Sequence, residues 1–119
     1  MNMFIMNLSC MPFRPSDSAL PLTPISFEIL LALLNGDLHG YAILQQVEAR
    51  TAGVLPMRTG TLYRALARLE EAGLIDLVDG PANNDERRRY YRITEKGKRV
   101  YSENKNNWEY AKRILDQLL

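Results

Sequence analysis

The stretch Thr59-Gly-Thr-Leu-Tyr-Arg-Ala-Leu-Ala-Arg-Leu-Glu-Glu-Ala72, stopped by Gly73, decides how the chain is organised. Its apolar positions Leu62, Ala65, Leu66, Leu69 and Ala72 recur at helical spacing and form one stripe. The opposite face carries Thr61, Arg64, Arg68 and Glu71. Thr59 is placed to cap the start, and Gly73 to end the helix in the left-handed conformation that favours glycine. A helix divided in this way rests one side on a core and offers hydroxyls and two guanidiniums to a polar partner.

Two more helices precede it. Thr23-Pro24 supplies a cap oxygen and a first-turn residue that needs no donor. Ile25, Phe27, Ile29, Leu30, Leu31, Leu33 and Leu34 then cover nearly every side, which predicts the buried centre, and Asn35-Gly36 ends the run. A second helix is predicted from about Gly40 to Thr51, with Tyr41, Ile43, Leu44 and Val47 inward and Gln45, Gln46 and Glu48 outward. Ala52-Gly53 closes it, and His39 reads as a local cap rather than a pH sensor.

Beyond Gly73, residues 74–78 and 89–93 are short and rich in branched or aromatic side chains, and residues 79–84 between them are dense in turn formers. They predict a two-stranded hairpin with a long tip. Two strands alone are marginal in water, so the hairpin must lie on the helices. Thr94 caps a last helix from about Glu95 to Leu118, roughly 36 Å long at ~1.5 Å per residue. Tyr101, Asn104, Trp108, Ala111, Leu115 and Leu118 alternate steps of three and four along it, a heptad-like seam with Ile114 beside it. So long a helix overhangs so small a domain, and the seam calls for a second chain.

Composition sets the outer limits. The chain has 119 residues, 46% hydrophobic and 24% charged, which excludes a disordered chain and leaves room for one modest core. A doubly wound enzyme or a barrel is excluded by size. There is no Ser/His/Asp arrangement and no Gly-rich phosphate loop, so the chain is read as no enzyme and as having no cofactor. With one Cys (Cys10) and one His (His39), no disulfide and no metal site are expected. No apolar run reaches about 18 residues, so no membrane partner is expected and the cytoplasm is the expected address. Residues 1–22, with Pro12, Pro15 and Pro21, read as an arm, either loose or packed on a dimer.

Net charge is only +1, but ten of the fifteen basic residues fall between 58 and 99. A local basic surface attracts a polyanion even on a nearly neutral molecule. Two short helices followed by a two-stranded ribbon is the layout of a winged helix-turn-helix: mainly α, with a small β wing. Arg64 and Arg68 lie four apart on one helix face, where a guanidinium can fork onto guanine or hold a phosphate. Thr59, Thr61 and Tyr63 add hydroxyls beside the amides of the first turn. Arg87, Arg88 and Arg89 at the exit of the hairpin tip outnumber Asp85 and Glu86, and a wing that reaches phosphates accounts for them.

The segments from Leu22-Thr-Pro-Ile-Ser-Phe, His39-Gly-Tyr-Ala-Ile, Gly60-Thr-Leu-Tyr-Arg-Ala-Leu and Arg87-Arg-Arg-Tyr-Tyr-Arg-Ile-Thr-Glu-Lys-Gly, in this order, resemble the PadR family of bacterial transcriptional regulators. The resemblance spans about Leu22 to Leu119 and is closest to the short members with a single C-terminal helix. It implies residues 23–94 as a DNA-binding domain and 95–119 as a dimerisation helix. The implied activity is that of a homodimeric repressor on double-stranded DNA, at a palindromic operator. It also implies a small aromatic effector at the dimer interface, with Trp108 either lining its cavity or anchoring the dimer core. The competing reading is a winged-helix module for protein or RNA that binds no operator.

Overall fold

Thr23 opens the first helix as its side chain allows: its Oγ1 accepts a hydrogen bond from the Ser26 amide at 3.1 Å. The computed structural model describes residues 22–81 and 89–118. Most of the predicted arm, the wing tip with Arg87 and Arg88, and Leu119 lie outside the described residues. Helix α1 (Pro24–Leu33) buries Ile29, Leu30, Ala32 and Leu33 and forms the centre of the core. Helix α2 (Gly40–Thr51) buries Ile43 and Val47 against it. As expected, His39 caps α2, its Nδ1 accepting from the Ala42 amide at 3.2 Å. At the close of α2, Ala52 itself takes the left-handed conformation, with φ 53°, ahead of Gly53.

Helix α3 (Thr59–Glu71) lays Leu62, Ala65, Leu66 and Leu69 on the core. Covering a leucine of this kind stabilises by about 1.5–3 kcal/mol. One detail departs from expectation. Thr59 does not cap α3; Arg58 holds the cap position without a side-chain bond, so Thr59 is the first helical residue. Gly73 ends the turn with φ +79°, as predicted.

The sheet has three strands where the sequence predicts two. Strand β1 (Leu38–His39) precedes α2, and β2 (Ile75–Val78) and β3 (Tyr90–Ile93) form the wing. Their order is β1-β3-β2, all antiparallel, with Leu38 opposite Tyr91 and Ile75 opposite Ile93. Two residues carry no periodicity, which is why β1 is invisible in the sequence. Its pairing makes β3 the central strand and ties the wing to the helices. Arg92 of β3 strengthens that tie by gripping Asp37 with both ends of its guanidinium, at 3.1 and 2.8 Å.

Thr94 joins three elements at the base of the wing. Its hydroxyl donates to the Gly73 carbonyl at 2.7 Å and accepts from the Gly97 amide at 3.0 Å. Helix α4 (Glu95–Leu118) starts there. At Gly97 any side chain would run into the Leu74 carbonyl and Ile93, so a glycine is what allows α4 to seat against the wing. No helix among the described residues is long and apolar enough to cross a membrane.

Candidate nucleic-acid interface

The outward face of α3 is built by the burial of its other face. With Leu62, Leu66 and Leu69 fixed inward, the helical repeat leaves Arg64 and Arg68 exposed on the far side. Among the described residues neither guanidinium pairs with a carboxylate, although Glu70 and Glu71 are near in sequence. Arg64 folds back toward the helix start: a methyl group placed on Gly60 would lie 3.6 Å from its Nη1. Its charge therefore stands beside Thr59 and the first-turn amides, which no side chain caps. Free amides, a hydroxyl and a guanidinium at one helix end form an anion-accepting surface.

The other predicted contacts divide. Thr59 is exposed and Thr61 is half-buried, so both hydroxyls stand on or beside the open face. Tyr63 is 48% exposed, but its phenol end rests on α2: a methyl group on Gly40 would meet the Tyr63 hydroxyl oxygen at 2.5 Å. Gly40 is thus the notch that lets α2 and α3 approach. Tyr63 holds the two helices in register with one end of its ring. Arg89 is exposed at the foot of the wing, whereas Arg87 and Arg88 belong to the segment outside the described residues.

Tyr41 corrects the sequence reading. It was expected to point inward and is 62% exposed, because the buried stripe of α2 runs through Gly40, Ile43 and Val47 and passes it by. An aromatic hydroxyl therefore stands on the first turn of α2. That three-four spacing was the signal that could have excluded Tyr41 from the core. Within the wing, Tyr91 is buried, and burial followed by the nearby Tyr63 and Glu70 raises its phenol above the usual 10.0, against the opposing pull of Arg89.

The predicted seam on α4 also divides. Tyr101 stacks on Phe27 of α1 with ring centroids 4.9 Å apart. Asn104, expected in the seam, is instead buried within its own chain. Its Oδ1 accepts from the Leu22 amide at 2.9 Å and its Nδ2 donates to the Val100 carbonyl at 3.0 Å. A buried amide with both ends satisfied pins the entry of α1 to the middle of α4. From Trp108 onward every described residue is exposed, including Ala111, Ile114, Leu115 and Leu118. Trp108, at 56% exposure, forms one wall of an open apolar groove of about 550 Å³. Pro24, Phe27 and Glu28 of α1 and Thr51, Val54 and Leu55 at the close of α2 form the rest.

Comparison with known proteins agrees with this geometry. Residues 29–103 match the transcriptional regulator PadR-like family. A protein of Lysinibacillus sphaericus is 36% identical over 88 residues, 74% of this chain and 81% of that protein. A transcriptional regulator from Clostridium thermocellum is 34% identical with a TM-score of 0.69, the match covering 80% of this chain and 89% of the other. A PadR family transcription regulator from Clostridium difficile is 31% identical with a TM-score of 0.71, covering 81% and 98%. The fold is also that of Bacillus subtilis PadR solved in complex with operator DNA, at 21% identity and a TM-score of 0.59, covering 67% of this chain and 45% of that longer one. The helix-turn-helix with its wing, the long last helix and the extent of these matches lead to one assignment: the chain belongs to the PadR-like family of transcriptional regulators, which are not enzymes.

Proposed function

We propose that this regulator is a homodimeric repressor acting in the cytoplasm on a palindromic operator, with α3 in the major groove and the wing on the flanking backbone. The observation that carries the reading is the exposed face of α3, where Arg64 and Arg68 stand free of carboxylates opposite a fully buried stripe. A helix fits the major groove of B-DNA, and arginine is the side chain that forks onto guanine. The B. subtilis protein that shares this fold is known in complex with operator DNA, which supports the docking. In the proposal Thr59, Thr61 and Arg89, with Arg87 and Arg88 of the wing tip, hold phosphates.

The second chain is recruited through Trp108, Ala111, Ile114, Leu115 and Leu118. An uncovered apolar helix face of this length gains free energy by burial, and a two-fold pair spaces two reading helices about 34 Å apart, one turn of DNA. A small aromatic effector seated beside Trp108 releases the operator if it favours the spacing of the two heads that does not fit DNA. Only its preference between the two spacings counts, whatever its total affinity.

Selection of duplex sites from a random pool by the purified protein is the test. Enrichment of a dyad-symmetric site is the expected result. No enrichment at moderate salt would favour a module for protein or RNA instead.

A further inference from the structure

Gly40 is required by space and not by backbone shape. Its φ is not positive, so at the first position of α2 an alanine would suit the helix better than glycine does. What excludes a side chain there is Tyr63 of α3. A methyl group on Gly40 would stand 2.5 Å from the Tyr63 hydroxyl oxygen, 3.0 Å from Cζ and 3.3 Å from Cε1, so the end of the phenol is seated on the bare backbone of α2.

That seat is itself fixed. The residue before it, His39, pairs with Tyr90 in the sheet, caps α2 through Nδ1, and meets the Tyr90 ring edge-on with centroids 5.4 Å apart. The start of α2 and strand β3 of the wing are therefore held together, and Tyr63 sets α3 against both. Its phenol is close enough to Tyr91 of β3 to contribute to the raised pKa there.

The face that Tyr63 orients is the one proposed to read DNA. Arg64 is the next residue, and Arg68 lies one turn further along. Side chains stand about 6 Å from a helix axis, so a rotation of ~15° about that axis carries a guanidinium through roughly 1.5 Å. A two-bond fork onto a base edge tolerates displacements of only about 0.5 Å. The attraction of a guanidinium to a phosphate falls off gradually over the same distance.

We infer that Tyr63 is a positioning residue of the DNA interface: with its phenol seated on Gly40 it fixes the rotation of α3, and through that the choice of base pairs by Arg64 and Arg68, without touching DNA itself. This rests on the operator-reading function proposed above. Its distinctive consequence is that disturbing the seat changes preference among sequences and leaves the general attraction to duplex DNA in place.

The readout is the ratio of two affinities of the full chain, one for the duplex that the parent protein selects and one for a scrambled duplex of the same composition. A loss of folded protein scales both affinities equally and leaves the ratio alone. Gly40→Ala should lower the ratio at least about fivefold, the lower limit for losing one good base fork, and keep the salt slope within about one of the parent. Tyr63→Ala, which empties the seat, should lower it comparably. Tyr63→Phe keeps the ring and removes the atom that the methyl group meets first. It should retain the ratio to within about twofold, and Gly40→Ala made in that chain should cost less than about twofold more, because the two positions are coupled.

A loss for Tyr63→Phe as large as that for Tyr63→Ala would make the hydroxyl a DNA contact and overturn the inference. So would an unchanged ratio for Gly40→Ala, or a Gly40→Ala loss that persists in the Tyr63→Phe chain. If the parent selects no duplex at all, the operator reading itself fails, and this inference with it.

Discussion

Along α3 the boundary between buried and exposed runs lengthwise, with Leu62, Leu66 and Leu69 covered while Arg64 and Arg68 remain in solvent. Along α4 it runs across the helix, with burial ending at Asn104 and every described residue from Trp108 onward uncovered. The two helices leave different chemistry exposed. The free side of α3 is hydroxyl and guanidinium, already at home in water and able to exchange water for phosphates and base edges. The free part of α4 includes a tryptophan and three branched aliphatic side chains, which gain by leaving water. One helix is therefore finished by its own domain and the other is not.

The sharpest way to break this contrast is to remove the same kind of atoms from both helices. Leu66→Ala, in the core, should lower stability by about 2–5 kcal/mol in urea titration. Leu115→Ala should lower the stability of a diluted protomer by less than about 0.5 kcal/mol, since that side chain is exposed. Equal losses would mean that α4 is buried in the protomer after all. A charge at the same place is the second test. Leu115→Asp should keep its helicity and halve the mass seen by light scattering, because an unpaired carboxylate cannot be buried cheaply between chains. An unchanged mass would remove α4 from the association surface.

For α3 the readout is DNA. Arg64→Ala or Arg68→Ala should each cost roughly 1–3 kcal/mol on the selected site and relax its sequence preference. Arg88→Ala should weaken all duplexes alike and reduce the salt slope by about one. If the wing substitution changed preference and the α3 substitutions did not, the reading element would be the wing.

The smallest effect concerns pH. The folded state raises the Tyr91 phenol above 10.0, chiefly by burial, so the fold holds that proton longer than the unfolded chain does. Its contribution to stability is complete below about pH 10 and is lost as pH rises through the raised value. Tyr91→Phe, compared with the parent by thermal melting across the alkaline range, should flatten that decline. An unaltered slope would assign the decline to other groups.

How much of this was legible follows from the range of each interaction. The helix starts at Thr23 and Thr94, the cap at His39 and the stop at Gly73 depend on residues three or four apart, and all could be read. The charge on the outer face of α3 was equally plain, because a helix repeat assigns faces without reference to the rest of the fold. The inward placing of Tyr41 failed because helical spacing counted among apolar side chains admits it beside Ile43, Leu44 and Val47, whereas the buried stripe runs through Gly40, a residue with no side chain to count. Strand β1 and the notch at Gly40 could not be found, since each exists only through a partner distant in the chain.

By itself the sequence determined the order of elements, the division of α3 into two faces and the excess of apolar groups on the last helix, since hydrophobic period and capping act over a few residues. The tertiary structure alone decided where α4 stops belonging to its own domain. That limit is drawn by Asn104 accepting from Leu22 across 82 residues, and the wing is anchored likewise by Arg92 on Asp37 across 55. Such pairs meet only after the core has brought their elements together, because a hydrogen bond between distant segments leaves no periodic trace in the chain.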